Sequence, residues 1–463
     1  MRSYIPLLLF LILLSSASSA QHEADNWYFG YNAGLSFATS PPTVLTGGQV
    51  HVYEGSSSIS DAAGNLLFYS DGQSVWDRND SVMPNGTGLY GNWSSTQSCL
   101  IVKKPGSANL YYVFTVPDVI DTITPMSYSI VDMTLNNGNG DVTTKNYPLF
   151  NPSSEKLTAV ATHSGDSVWV IGHEVNTQNF YSFLLDSIGV NPTPVISSVG
   201  NINGPDYHAN IGQMKVSHCG TKIASAVYVY NYLELFDFDI SSGILSNAME
   251  ISLWQPAYYG VYGIEFSPDD SKFYVSLIDP SIIVQYDLLA VSQAAIIASA
   301  DTVAISPNNF NGQLQSAPDG KIYYAKYQDT TLGCITNPNA SGSACGYVED
   351  YVTLTPGSSQ IGLPNFVTSC FCNYNTGTTF KNPQGSEISI FPNPSNGNFK
   401  INFQNIPSEK TIQIFDVTGN IIYQKNKIKN TKEKINLVNN PKGIYFLKII
   451  DKDKSSVNKI VLQ

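Results

Sequence analysis

His163, His173-Glu174 and His208 fall in the middle of the chain, close enough in sequence to converge as an acid–base set. Imidazole titrates near neutrality, so two of them beside a carboxylate would suit hydrolysis or proton transfer. Asp237 and Asp239, with the adjacent Asp269-Asp270, offer paired carboxylates for acid–base work or calcium ligation. Asn136-Asn137-Gly138-Asn139-Gly140-Asp141 has oxygen-rich loop chemistry, but no bidentate Glu follows at ion-loop spacing. Each group also has a plainer reading. A strand histidine is more often a satisfied structural residue. The acidic pairs stand where turns and strand ends are expected, and the Asn/Gly run reads as a turn. The sequence holds no Gly-x-Ser-x-Gly elbow, no His-Glu-x-x-His pair, no phosphate-cradling glycine loop and no Cys/His set at zinc spacing. It therefore nominates no catalytic, cofactor-binding or metal-binding residues, and no cofactor is expected.

The elements that would position such groups are short strands. The chain has 12% aromatic residues, 28 Tyr and 35 Gly, but only 13% charged residues, a composition of strands and tight turns. A unit recurs through the first 372 residues: an apolar strand, a Ser/Pro/Asp/Gly turn, then an aromatic strand. Its turns are Ser60 to Asn65, Lys104 to Ser107, Ser164 to Asp166, Ser217 to Gly220, Ser267 to Asp270 and Ala317 to Gly320. Their spacing of roughly 42 to 59 residues is that of propeller blades, small sheets that bury both faces only by stacking around an axis. Asn26 to Gly30 reads as an aromatic strand lacking its upstream partner, and Gly362 to Val367 as that partner supplied by the other end. Seven blades are favoured, with six as the alternative.

The two ends differ from this body. Arg2 precedes an apolar run from Ile5 to Leu14 and a small-residue stretch ending at Ala20, which together predict a cleavable signal peptide over 1–20. Ten apolar residues are too few to span a bilayer, and no membrane span is expected. After a linker over 373–386, seven short strand patterns follow from Glu387 to Gln463, separated by turn residues. Seven strands in about 75 residues fit a small β-sandwich. Charge changes at the same place. Residues 381–463 hold 13 Lys against 6 acids, whereas residues 21–380 hold 10 Lys or Arg against 30 acids. So acidic a body would repel a polyanion, which argues against nucleic acid.

The C-terminal segment resembles the type A C-terminal sorting domain of the Bacteroidota type IX secretion system. The matching residues are Phe391-Pro392-Asn393-Pro394 with Gly397, then Asp416 and Gly419, Gly443 and Tyr445, and Lys459 in the final strand. The resemblance implies passage through the periplasm by general secretion. Export across the outer membrane by the type IX machinery follows, with release or attachment at the cell surface. The body resembles the WD40-like propeller regions that precede such domains. Asn26-Trp27-Tyr28-Phe29-Gly30, Gly64-Asn65-Leu66-Leu67-Phe68-Tyr69 and Gly362-Leu363-Pro364-Asn365-Phe366 carry that likeness. It implies architecture and lineage, but transfers no catalytic residue.

Two chemical details remain. Export favours oxidised cysteines, and Cys334 and Cys345 flank a ten-residue Asn/Pro/Gly/Ser loop that a disulfide could close. Cys370 and Cys372 are too far apart along a strand to pair with each other, and Cys99 and Cys219 read as buried thiols. Asp-Ser/Thr before an aliphatic residue or Thr recurs, with hydroxyls at Ser81, Thr122, Ser167, Ser187, Thr302 and Thr330. The triplet resembles the O-glycosylation site of exported Bacteroidota proteins, although it also opens a strand after a turn. The expectation is an all-β protein: a β-propeller over 21–372, then a sorting sandwich over 387–463, acting as a binding module for a protein or glycan ligand. The alternative is an extracellular hydrolase or lyase acting on polysaccharide or peptide in the central funnel. Acid or histidine clustering at the axis would favour the enzyme, and a filled channel the binder.

Overall fold

The computed structural model describes residues 22–368 apart from 163, 254–258, 291 and 308–309. It also describes 379–381 and 387–462 apart from 392–394, 396, 404–408, 417–419, 439 and 452–453. The expected signal peptide, most of the linker, and Cys370 and Cys372 lie outside these residues. Two compact units are present, Met1–Cys372 and Asn373–Gln463.

The first unit is a seven-bladed β-propeller. Six antiparallel four-stranded sheets follow a three-stranded one formed by Asn26–Phe29, Ala33–Ser36 and Thr43–Val44. The inner strands of the six are Ser57–Ser60, Cys99–Lys103, Ser153–Ala161, Met214–Val216, Tyr259–Phe266 and Leu314–Ser316. Apolar side chains from each blade meet those of the next in a separate core. The ring closes where Tyr323, Leu332 and Cys334 of the seventh blade pack with Trp27, Phe29 and Leu35 of the first. Such stacking buries the two faces of every sheet and leaves few free edges.

The repeat seen in sequence is the turn between the first and second strands of a blade. In five copies the amide of the fourth turn residue donates to the carbonyl of the first. Gly64 donates to Asp61, Gly165 to Thr162, Gly220 to Ser217, Asp270 to Ser267 and Gly320 to Ala317. That fourth residue always has positive φ, from 56° at Asp270 to 85° at Gly64. Glycine stands at four of the five because only a residue without Cβ adopts this conformation freely. The Lys104 copy turns at Gly106 instead, one position earlier.

The first sheet lacks an inner strand, and the expected closing strand takes a different form. Residues 361–367 run beside the start of the second blade, with a parallel bridge between Pro364 and Ser56. Asn365 N donates to Ser56 O at 2.8 Å, Ser57 Oγ donates to Asn365 O at 2.8 Å, and the Phe366 ring lies 5.9 Å from Trp27. Pro364 has no N–H to give a ladder, so a regular strand is not formed. Ser56 Oγ and Ser58 Oγ instead donate to the carbonyls of Tyr28 and Asn26, capping the inner edge of the first sheet.

The second unit is a sandwich of two four-stranded sheets. Seven of its strands coincide with the seven sequence patterns, and a short eighth, Thr379–Lys381, pairs with Glu387–Phe391. Phe399, Ile401, Ile412, Ile414, Leu447 and Ile460 fill its core, as the alternation of apolar and polar residues in these strands requires.

Candidate functional site

Inner strands of a propeller all run in one direction, so every connection from an outer strand to the next inner strand lies on one face. The connections between second and third strands lie there too. We call this the mouth face, and the face bearing the repeated turns the turn face.

The axis beneath the mouth face is filled. Gln97, just ahead of the third blade's inner strand, accepts from Leu157 N at 3.2 Å and Met214 N at 2.8 Å, and donates to Met214 O at 3.1 Å. Gln213 accepts from Ile264 N and Leu314 N. Gln313 accepts from Leu363 N at 2.8 Å and donates to Thr96 O. Asn365 donates to Leu157 O at 2.8 Å. An amide carries donors and acceptors together, so these residues knit inner strands to one another where a ladder cannot. Lower in the axis, Lys215 contacts Glu265 at 3.4 Å and hydrogen-bonds Gln315. Lys156 donates to the carbonyls of Ile211, Gly212 and Ala226.

At the top of this plug sit two carboxyls, Glu54 (6% exposed) and Glu155 (1% exposed). Glu155 accepts from Thr96 N at 2.8 Å, Thr96 Oγ1 at 2.7 Å and Val119 N at 3.2 Å. Burial nevertheless pushes its pKa up to about 7, with the nearby Asp118 charge adding to the shift against these hydrogen bonds. Glu54 is held well above the carboxylate range, by burial first and the Glu155 charge second. Its Oε2 and the hydroxyl of buried Tyr262 have no hydrogen-bond partner among the described residues. Tyr262 lies near enough to favour ionisation of Glu54, without donor and acceptor meeting in hydrogen-bond geometry.

Aromatic rings cover this acidic floor. Tyr53, Tyr228 and Tyr327 pack against Tyr262, Ile278 and Ile361. A row of rings runs from Trp93 to Tyr53 (6.1 Å), on to Tyr327 (5.7 Å) and Phe310 (6.3 Å). Its two ends are open to solvent, Trp93 at 53% and Phe310 at 46% exposure. Sequence inspection missed this site entirely. Its residues come from connections with no shared spacing, and the one available signal was a Gln before three inner strands.

The sequence-nominated groups lie elsewhere. His173 is buried against Phe180, and burial with the Lys156 charge pulls its pKa down to about 3. Glu174 binds Asn179 Nδ2. His208 pairs with Asp206 at 2.8 Å on a 3-10 turn, Tyr207–Asn210; His163 is outside the described residues. Asp237 pairs with Lys222, and Asp239 accepts from Ser241 and Ser242. Asp269 and Asp270 accept from Ser271 N and from His218 N and Cys219 N. Asn136–Gly138 forms a short 3-10 turn. The Cys334–Cys345 bridge is not made, and both thiols are free. Cys334 faces the core shared with the first blade, whereas Cys345 faces the core shared with the sixth. The two side chains therefore point to opposite sides of one sheet. Cys99 is buried as expected, but Cys219 is exposed.

Of the Asp-Ser/Thr triplet hydroxyls, Ser81, Thr122, Ser187, Thr302 and Thr330 are exposed and Ser167 is half-buried. At Asp121 and Asp186 the carboxylate accepts the amide two residues on, which turns the intervening Thr or Ser outward. In the C-terminal unit Gly397 O accepts from Leu437 N at 2.7 Å. Asp416 accepts from Asn420 N at 2.9 Å, and buried Tyr445 donates to Pro441 O at 2.6 Å. Phe391, Gly443 and Lys459 lie on strands, while Pro392, Asn393, Pro394 and Gly419 are outside the described residues.

Seven stacked sheets around a filled axis, joined to a separate sandwich, define an all-β propeller protein carrying a C-terminal module. Residues 389–463 match the secretion system C-terminal sorting domain, and the chain is therefore an exported protein of the type IX secretion system, destined for the cell surface or the medium. Among the described residues no helix is long and apolar enough to cross a membrane. No curated protein matches the chain. Among solved structures it is similar to a putative 6-phosphogluconolactonase from Bacteroides fragilis, at 11% identity and TM-score 0.46, covering 75% of this chain and 99% of that one. The β-propeller domain of Cps50 (Swd1) from Myceliophteria thermophila gives 11%, 0.38, 66% and 94%. The periplasmic gluconolactonase of Pseudomonas aeruginosa gives 11%, 0.37, 76% and 100%. At such values none of them assigns an activity to this chain.

Proposed function

We propose that the protein is an exported binding module that takes an extracellular protein or glycan ligand on its mouth face. The observation carrying this reading is the aromatic row from Trp93 to Phe310 lying over an axis already closed by hydrogen-bonded side chains. Solvent-exposed aromatic rings on rigid loops favour recognition, because large faces are buried with little loss of side-chain freedom. A hydrolase or lyase in the funnel keeps one supporting feature, the Glu54–Glu155 pair with raised pKa values. Against it, both carboxyls are buried beneath the rings and cannot meet a polymer.

The test is capture of ligand from the native cell surface by the wild-type chain, by a Trp93→Ala/Phe310→Ala variant and by an Asp166→Ala variant on the turn face. Loss of the captured species with the first variant alone is expected. Equal capture by all three would remove the reading.

Two further assignments belong to this reading. Residues 1–20 are read as the leader, 21–372 as the propeller, 373–386 as the linker and 387–463 as the sorting domain. The Asp-Ser/Thr triplets are read as glycan acceptors, five of their six hydroxyls being exposed.

A further inference from the structure

We propose that the lower axis is a self-modification site, where Lys215 Nζ displaces ammonia from the Gln315 side-chain amide. The product is a covalent isopeptide link between the fifth and seventh blades, and Glu265 is the acid–base group. The link concerns how the ring is held closed and is independent of what the mouth face binds.

The blade repeat itself places the three side chains. Lys215, Glu265 and Gln315 each stand two residues ahead of a repeated turn, the turns beginning at Ser217, Ser267 and Ala317. Each lies on an inner strand: Met214–Val216, Tyr259–Phe266 and Leu314–Ser316. Equivalent positions on successive inner strands point the same way, so the three meet at the axis. Lys215 Nζ donates to Gln315 Oε1 and lies 3.4 Å from Glu265 Oε2. None of the three residues is more than 4% exposed.

Their orientations are fixed by backbone groups. Glu265 accepts from Phe266 N at 3.0 Å and Ser316 N at 2.9 Å, and Gln315 Nε2 donates to Ser316 O at 3.0 Å. An amide is inert to a free amine in solution, but a nucleophile held permanently against the acyl group and beside an acid–base residue reacts as an intramolecular partner.

An amine attacks only when neutral. Burial pulls the Lys215 ammonium down from the ordinary lysine range, against the opposing Glu265 charge. Among the described residues Gln315 and Glu265 are its only polar contacts, so nothing else holds the proton. Transfer of that proton from Nζ to Glu265 replaces two buried charges with two neutral groups. The Nζ lone pair then forms a bond to Gln315 Cδ. Glu265 relays a second Nζ proton to Nε2, the Cδ–Nε2 bond breaks, and ammonia leaves. It departs as ammonium with the remaining Glu265 proton, which restores the carboxylate. Lysine and glutamine have thus become one secondary amide with the loss of one ammonium ion, and no oxidant or reductant is consumed. Exclusion of water keeps the acyl group from being hydrolysed instead. The link joins residues 100 apart in sequence, so it removes much chain freedom from the unfolded state. The four described cysteines are all free, and among the described residues this link would be the covalent staple.

Peptide mapping of the purified full chain tests this. Proteolysis of denatured wild-type protein should release one branched peptide containing both Lys215 and Gln315, lighter by one ammonia than its two parts together. The same digest of Glu265→Gln should release the two parts unlinked, and the denatured variant should migrate more slowly on a gel than the linked wild type. Because Glu265 is buried, the wild-type map decides by itself. Recovery of Lys215 and Gln315 only in separate peptides would overturn the proposal, whether or not the variant folds. A branched peptide formed in full by Glu265→Gln would overturn the role given to Glu265.

Discussion

The two faces of the propeller are made from connections of opposite character. On the turn face, five blades repeat one four-residue turn with one hydrogen bond and one left-handed residue. Gly320 there has nothing within 4 Å of where a Cβ would stand. On the mouth face the connections vary from two residues to fifteen and carry Tyr31, Tyr53, Tyr90, Trp93, Tyr207, Tyr228, Tyr230, Phe310 and Tyr327 among their described residues. The turn-face connections carry only Phe37. Backbone crowding differs as sharply, since a Cβ on Gly362 would meet Glu54 O at 1.8 Å. Short repeated turns set strand pairing, and a blade can be copied around an axis because they are interchangeable. The irregular face is free of that duty, and there the chain places its aromatic surface and its ionisable core.

The largest effect expected from this contrast comes from removing the closing segment. A body ending after Gln360 loses the hydrogen bonds of Leu363 and Asn365 and the packing of Phe366 on Trp27. It should lose about 4 kcal/mol or more relative to one ending after Cys372, and a coincident urea melt of the two would show that the ends do not hold each other.

Single glycines sharpen the same comparison. Gly362→Ala forces a methyl into the Glu54 carbonyl and should cost about 3 kcal/mol, whereas Gly320→Ala meets only its own left-handed backbone and should cost about 1 kcal/mol. Similar losses at the two positions would erase the distinction drawn between the faces.

Acidity reports on the buried carboxyls of the mouth face. Glu155 has its pKa raised from 4.5 to about 7 in the folded chain, chiefly by burial. The folded state thus holds a proton that the unfolded state has released. The stability this lends is complete below about pH 4.5 and disappears as pH rises through about 7. Wild-type melting temperature should fall between pH 5 and pH 7.5, by an amount on the order of 2 kcal/mol in stability, and Glu155→Gln should flatten the slope. An unchanged slope in the variant would place the titrating group elsewhere. The smallest effect concerns the glycan acceptors. Intact mass of the native protein should exceed the polypeptide mass, with Ser81, Ser187 and Thr302 occupied before half-buried Ser167. Stability should change little, and a bare polypeptide mass would return the triplets to ordinary turns.

What could be read from the sequence follows the same division. Turn-face signals are local: an Asp or Ser three residues before a Gly defines its own hydrogen bonds, so the repeat could be placed in advance, as could all seven sorting-domain strands, while blade number stayed between seven and six. The axial glutamines bond to groups 50 to 217 residues away, and no window of sequence contains both partners. Cys334 and Cys345 misled for a related reason, because loop length says nothing about which side of a sheet each side chain faces. Pro364 hid inside an apolar run whose composition suggested a strand that its missing N–H cannot complete.

The segment that seals the ring, residues 361–367, stands immediately ahead of the sorting module. During synthesis the amino terminus emerges first, so the start of the second blade waits without its partner segment until every blade has appeared. Any polypeptide cut short before residue 361 lacks both its keystone and its address label. Export is thereby tied to length: a fragment that cannot close its ring also lacks the module recognised for passage outward.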